Sequence, residues 1–216
     1  MIRKYKDYII LLASFLLIIF STNINRFLYA LNNDLDIDNI TNDYCVFLES
    51  DYNALLEIND FKNDSELNLI MSKVYLRDIY SFSDSLTIYK GSNSDIEEGM
   101  AVINNLGLVG VIKKTDKEAS VVELITSKNS NVSVKINDNY GILKVVQGEL
   151  VVSDLQASSN ISVGDKVYTS GLGNLPGDIY VGEVSATNLN NTEIEMFAYV
   201  NPAVELKNIN YVLVVE

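Results

Sequence analysis

The sequence predicts a mainly β protein: an N-terminal transmembrane helix and a short helical, coiled-coil-like segment lead into two small antiparallel β units. Three observations carry this reading. A basic N-terminus precedes an apolar run, residues 24–70 contain no Gly or Pro, and from about Ser72 short β-branched or alternating segments recur every 8–12 residues.

The first element is the apolar run. Arg3, Lys4 and Lys6 precede Tyr8–Phe20, 13 residues whose one polar side chain is Ser14. Carried through Ile24 the run reaches 17 residues, short of the roughly 20 that a spanning helix wants and suited to a thin bilayer. A cleaved secretory signal needs small residues just past its apolar stretch. Here Leu28-Tyr29-Ala30 lies ten residues beyond Phe20 with Leu in a small-residue position, so an uncleaved anchor is favoured. Basic flanks stay in the cytoplasm. The expected order is a cytoplasmic tail at 1–7, an anchor at 8–24 and an extracytoplasmic body.

The second element, 25–70, repeats apolar residues at helical spacing. Ile24, Leu28, Leu31 and Leu35 form one seam, and Cys45, Leu48, Tyr52 and Leu55 a second, with Asp38 and Asn42 interrupting the register between them. Two short seams fall below the sustained heptads of a full coiled coil. Self-association through Leu28, Leu31, Leu35, Cys45, Leu48, Tyr52 and Leu55 therefore stands level with packing against the chain's own domain. Cys45 reads as a free, half-buried thiol in preference to a cross-link between paired helices. Asp60–Glu66 marks the helix exit.

The third element is a series of twelve short strands: 73–76, 86–89, 100–103, 109–112, 120–125, 131–136, 142–146, 149–152, 166–169, 179–185, 193–200 and 211–215. No helical pattern separates them, which indicates small antiparallel barrels or sandwiches. A pattern repeats within the series. Gly99-Met-Ala-Val102, Gly107-Leu108 and Val109-Gly-Val111 match Gly164-Asp-Lys-Val167, Gly171-Leu172 and Val181-Gly-Glu-Val184, 65 residues later. Gly99, Gly107, Gly110, Gly164, Gly171, Gly173, Pro176 and Gly182 are thus expected to shape turns and close strand approaches of two related β units. The units are placed at 72–126 and 127–216, with 184–216 allowed to return to the first. Returning hairpins are expected to offer backbone edges for pairing.

Composition excludes several functions. Beyond residue 20 there are 13 Lys+Arg against 28 Asp+Glu, a surface that repels nucleic acid and anionic headgroups. The absence of histidine removes Ser-His-Asp and Cys-His mechanisms and most zinc sites, and no Ser-x-x-Lys arrangement is present. Asp34-x-Asp36-x-Asp38 opens like a calcium loop, but Asn39 and Cys45 stand where Gly and a bidentate Glu belong. Gly171-x-Gly173 lies between strands, outside the strand–helix context of a nucleotide loop. Asp95, Glu97 and Glu98, and Glu193 with Glu195, read as solvated turn and strand faces. No catalytic residue, metal or cofactor is expected.

Residues 99–112, 124–134 and 163–184 resemble the bacterial rod shape-determining protein MreC family, most specifically at Thr169-Ser-Gly-Leu-Gly173; Ile88–Gly91 and Tyr211–Val215 are similar as well. The resemblance implies a bitopic scaffold with an extracytoplasmic coiled coil followed by two small β-barrels. It also implies self-association, and contact with membrane-embedded shape proteins and class B penicillin-binding proteins during cell-wall elongation. The serine of that motif is then no nucleophile. The alternatives are a periplasmic-adaptor-like subunit of an export complex and, behind it, a membrane-tethered wall hydrolase.

Overall fold

The computed structural model describes residues 14, 16–26, 37–77, 84–189 and 194–216. The chain divides into two compact units, Met1–Ser50 and Asp51–Glu216. In the first, residues 16–26 are helical and exposed, and the remaining positions of the expected anchor, 8–13 and 15, lie outside the described residues. Among the described residues no helix is long and apolar enough to cross a membrane.

Helix α1 (Ile37–Asp64) is free of Gly and Pro, and Lys62 in its last turn complements the helix dipole. The helix ends at Asp64, within the expected exit at Asp60–Glu66 and short of the zone's bound at 70. Ser65 closes the helix by bonding its amide to the Phe61 carbonyl and accepting the Leu67 amide on its hydroxyl. Strand β1 (Leu69–Arg77) follows at once.

The first barrel contains β1, β2 (Ser85–Ile88), β3 (Ala101–Ile103), β4 (Leu108–Thr115) and β5 (Ser120–Leu124), with β12 (Tyr211–Val215). The second contains β6 (Asn131–Ile136), β7 (Asn139–Val146), β8 (Glu149–Gln156), β9 (Lys166–Thr169), β10 (Tyr180–Leu189) and β11 (Glu195–Pro202). Each closes, in the orders β1-β12-β3-β4-β5-β2 and β7-β6-β9-β10-β11-β8, every pairing antiparallel. The second barrel is therefore inserted whole between β5 and β12. The return allowed for 184–216 is narrower than those bounds. Val184 pairs with Val200, and β11 pairs with β8, so β10 and β11 stay in the second barrel and only Tyr211–Val215 goes back. Closure gives each of the twelve strands a neighbour on both sides, while β10 meets β9 only at Tyr180–Glu183, so the expected open edge is confined to the outer part of that strand.

Alternation explains why these segments are strands. Leu86, Ile88, Ile112, Val122, Leu124 and Leu213 are buried in the first barrel, and Val134, Ile136, Leu143, Val152, Val167 and Ala198 in the second. Side chains fill both interiors, as small barrels require. The glycine pattern has one structural meaning in both. Gly99 and Gly164, at φ +91° and +92°, donate their amides to the carbonyls of Ile112 and Val184, each at 2.8 Å. Two residues before those carbonyls stand Gly110 and Gly182, where a Cβ would lie 2.1 Å from the Glu123 and Asn201 carbonyl oxygens. The pattern thus marks where a strand is crossed at close range.

Gly110→Ala or Gly182→Ala should destabilise the chain by about 1–3 kcal/mol, the usual cost of overpacking. At Gly173, by contrast, the nearest atom to an added Cβ is 3.9 Å away, and Gly173→Ala should stay within about 0.5 kcal/mol. Denaturant unfolding of the three variants checks this.

Candidate scaffold interface

Two faces of α1 behave differently. On one, Asp51, Ala54, Ile58, Phe61 and Ser65 step by 3, 4, 3 and 4. Ile58 is buried, Phe61 packs on the core, and Ala54 and Ile58 meet Asn104, Leu106, Ile209 and Tyr211 of the first barrel around a pocket of about 240 Å³. This docking face is offset from the seam expected from sequence. Cys45, Leu48 and Tyr52 of that seam are exposed and Leu55 is half-buried, while Leu28, Leu31 and Leu35 lie outside the described residues. Cys45 is thus an exposed thiol and not a half-buried one. Tyr44, Leu48, Tyr52 and Leu56, each one turn beyond the last, form an exposed ridge on the helix.

A polar clamp fixes the docked face. The Asp51 carboxylate accepts hydrogen bonds from Lys73 Nζ (2.9 Å), Tyr211 Oη (3.1 Å) and Asn210 Nδ2 (3.4 Å). Lys73 also lies 5.1 Å from the centre of the Tyr211 ring. One side chain from the helix therefore meets β1 and β12 together. The Lys73 hydrogen bond, with help from Tyr211 and Asn210 and against partial burial, holds the Asp51 carboxyl below its ordinary pKa. The same bond raises that of Lys73. Sequence spacing gave no sign of this group, whose members are 22 and 160 residues apart.

The turn residues serve the barrels and their junction. A Cβ on Gly107 would come within 2.4 Å of the Tyr180 carbonyl oxygen, so the β3–β4 turn of the first barrel rests on the backbone of the second. In the segment Thr169–Pro176 the Thr169 hydroxyl donates to the Pro176 carbonyl at 2.6 Å and accepts from the Ile179 amide. Gly171, at φ +72°, passes the backbone of Gly177. Ser170 bonds to the Ser133 hydroxyl at 2.7 Å, tying the loop to β6. Asp95, Glu97 and Glu98 are exposed on a turn, Glu195 is exposed on β11, and Glu193, Asp34 and Asp36 lie outside the described residues. Among the described residues no three His, Cys, Asp or Glu side chains are grouped to hold a metal.

A family model described as the rod shape-determining protein MreC, barrel core, matches residues 74–216. The cell shape-determining protein MreC of Streptococcus pneumoniae is 38% identical over 128 residues, covering 55% of this chain and 47% of that protein. The chain spans about half the length of the curated relatives it matches. Among solved structures, the major periplasmic domain of the cell shape-determining filament MreC is similar with a TM-score of 0.62 and 32% identity, over 68% of this chain and 95% of that one. A complex between penicillin-binding protein PBP2 and MreC from Helicobacter pylori is similar in fold, with a TM-score of 0.58 and 22% identity over 69% and 98% of the two chains.

The clamp has a testable pH signature. With its pKa lowered, Asp51 contributes stability that is complete above the ordinary carboxylate value and is lost as pH falls through the lowered one. The protection of the amides at 54–61, taken as exchange relative to the intrinsic rate at each pH, should therefore fall on acidification in this chain. In Asp51→Asn those amides should exchange faster already at neutral pH and respond less to acid, while the amides of β6–β11 change little.

Proposed function

The chain belongs to the family of the rod shape-determining protein MreC, and on that footing we propose that it is a non-catalytic, membrane-anchored scaffold that organises cell-wall elongation and cell shape. The observation that carries the proposal is the joining of a barrel pair to a helix clamped at Asp51. The arrangement offers contact surfaces, and among the described residues no three His, Cys, Asp or Glu side chains are grouped. The anchor at 8–24 is part of the proposal, supported by the exposed apolar side chains Leu16 to Phe20. The three basic residues before it orient the tail at 1–7 to the cytoplasm and the body outward.

Partners follow from the same features. The ridge Tyr44, Leu48, Tyr52 and Leu56, flanked by Cys45, supports self-association, since helices pair by burying such stripes. The Helicobacter pylori MreC structure is a complex with a penicillin-binding protein, which supports a class B penicillin-binding protein as a partner here. Membrane-embedded shape proteins are proposed alongside it. An export-pump adaptor requires a helical hairpin entering and leaving its β domain. Among the described residues between β5 and β12 the chain runs through strands, turns and one 3-10 turn at Leu206–Asn208, so that alternative is not favoured.

Loss of the chain should round or bulge the cells. Pull-down of the full chain from native membranes should recover a penicillin-binding protein; recovery of a transporter ATPase in its place would sink the scaffold reading. Leu48→Asp together with Tyr52→Asp should reduce Cys45–Cys45 crosslinking by a short bis-maleimide at least about tenfold, the scale of one lost apolar contact of about 1.4 kcal/mol.

A further inference from the structure

The outer face of the second barrel carries a row of four side chains that the scaffold reading does not use. Tyr140 on β7, Lys135 on β6, Tyr168 on β9 and Tyr180 on β10 are successive cross-strand partners. Their neighbours Val134, Ile136, Val167, Thr169 and Val181 are buried, so the row points outward. Strands lie about 4.8 Å apart, which makes the row roughly 14 Å long. The Tyr168 and Tyr180 rings are 5.4 Å apart and tilted by 49°. Lys166 Nζ stands 5.9 Å from the centre of the Tyr180 ring and makes no ion pair among the described residues. Lys135 Nζ is 2.6 Å from Asp178 Oδ1. Over Tyr168 opens a pocket of about 530 Å³, bounded by Lys135, Asn137, Asp165, Lys166 and Asp178, within the size range of small-molecule sites.

The chemistry of this face selects a ligand class. Electron-rich tyrosine faces take the C–H face of a sugar ring. Asn137, Asp165 and Asp178 offer acceptors for hydroxyl or amide protons; Lys135 is already paired with Asp178, which leaves the Lys166 ammonium as the group open to an anion. The first barrel shows what a Tyr–Lys pair does in this molecule: Lys73 beside Tyr211 holds the carboxylate of Asp51. We propose that the second barrel binds a carboxylate-bearing saccharide, with Tyr168 and Tyr180 stacking on sugar faces and Lys166 taking the carboxylate. The proposal rests on the scaffold reading for where the ligand is met, since such saccharides build bacterial walls.

Calorimetric titration of the full chain in detergent tests it. The probes are solubilised peptidoglycan glycan strands, neutral N-acetylglucosamine oligomers and a Glu-rich peptide. The carboxylated strands should bind at least about tenfold tighter than the neutral oligomers, a difference of about 1.4 kcal/mol. Tyr168→Ala should weaken binding of both saccharides, and Lys166→Met should abolish the preference while leaving neutral binding in place. Tyr140→Ala serves as the second aromatic variant, with thermal unfolding confirming that each variant folds. Absence of saturable glycan binding, binding untouched by these substitutions, or equally tight binding of the acidic peptide would each overturn the proposal. Lost glycan binding with a penicillin-binding protein still recovered from membranes defeats this inference alone. Loss of that recovery with glycan binding intact defeats the scaffold reading alone.

Discussion

A small barrel is stable when its last strand finds both neighbours, and the first barrel obtains that strand from the far end of the described chain. Leu213 and Val214 lie opposite Met71 and Ile70 on one side and opposite Ile103 and Val102 on the other. The β12–β3 seam is two residue pairs long, yet it separates a closed cylinder from an open five-stranded sheet with two raw edges. β12 also brings Tyr211 to the middle of α1, where with Lys73 it receives Asp51. Closure of the first barrel and docking of the helix are in this way one condition. Had β12 not paired with β1, the carboxylate of Asp51 would face Lys73 without the tyrosine that completes its shell.

Closure also determines how the body makes contacts. Because both barrels are closed, little backbone edge is left for extending a sheet beyond the outer part of β10. Recognition falls instead to side-chain faces, and these differ in character. The ridge on α1 is apolar with two tyrosines, whereas the row on the second barrel mixes tyrosine with lysine. The exposed Tyr75 and Tyr89, with ring centres 4.5 Å apart, add a third surface on the first barrel. A scaffold needs several faces that do not compete, and closed barrels supply them without the aggregation hazard of an exposed edge.

Strand positions were legible because alternation follows directly from burial. β6, β9 and β12 occupy the residues expected of them, and the remaining strands differ at their ends by a few residues. The glycine repeat was legible as a pattern, and its cause is the same amide-to-carbonyl bond from Gly99 and from Gly164. Pairing was less accessible, because alternation marks a strand without naming its neighbour. The units were accordingly divided at 127 with a return allowed from 184, whereas it begins at Tyr211. On the helix, the seam of Cys45, Leu48, Tyr52 and Leu55 is genuinely apolar, but the docking register runs through Asp51, Ala54, Ile58 and Phe61. A charged residue heads that register, so hydrophobic periodicity overlooks it, and its partners lie too far along the chain for spacing to reveal them.

The two cylinders have matched strand orders. Starting from β1 and from β7, the two cylinders pair off member by member: β12 with β6, β3 with β9, β4 with β10, β5 with β11 and β2 with β8. The glycines fall on corresponding strands of that list. The one difference is that the strand beside the first member comes last in sequence in one cylinder and first in the other. Nesting leaves the β5–β6 and β11–β12 connections as the two covalent crossings between the cylinders, so strain in either cylinder reaches the other through both at once.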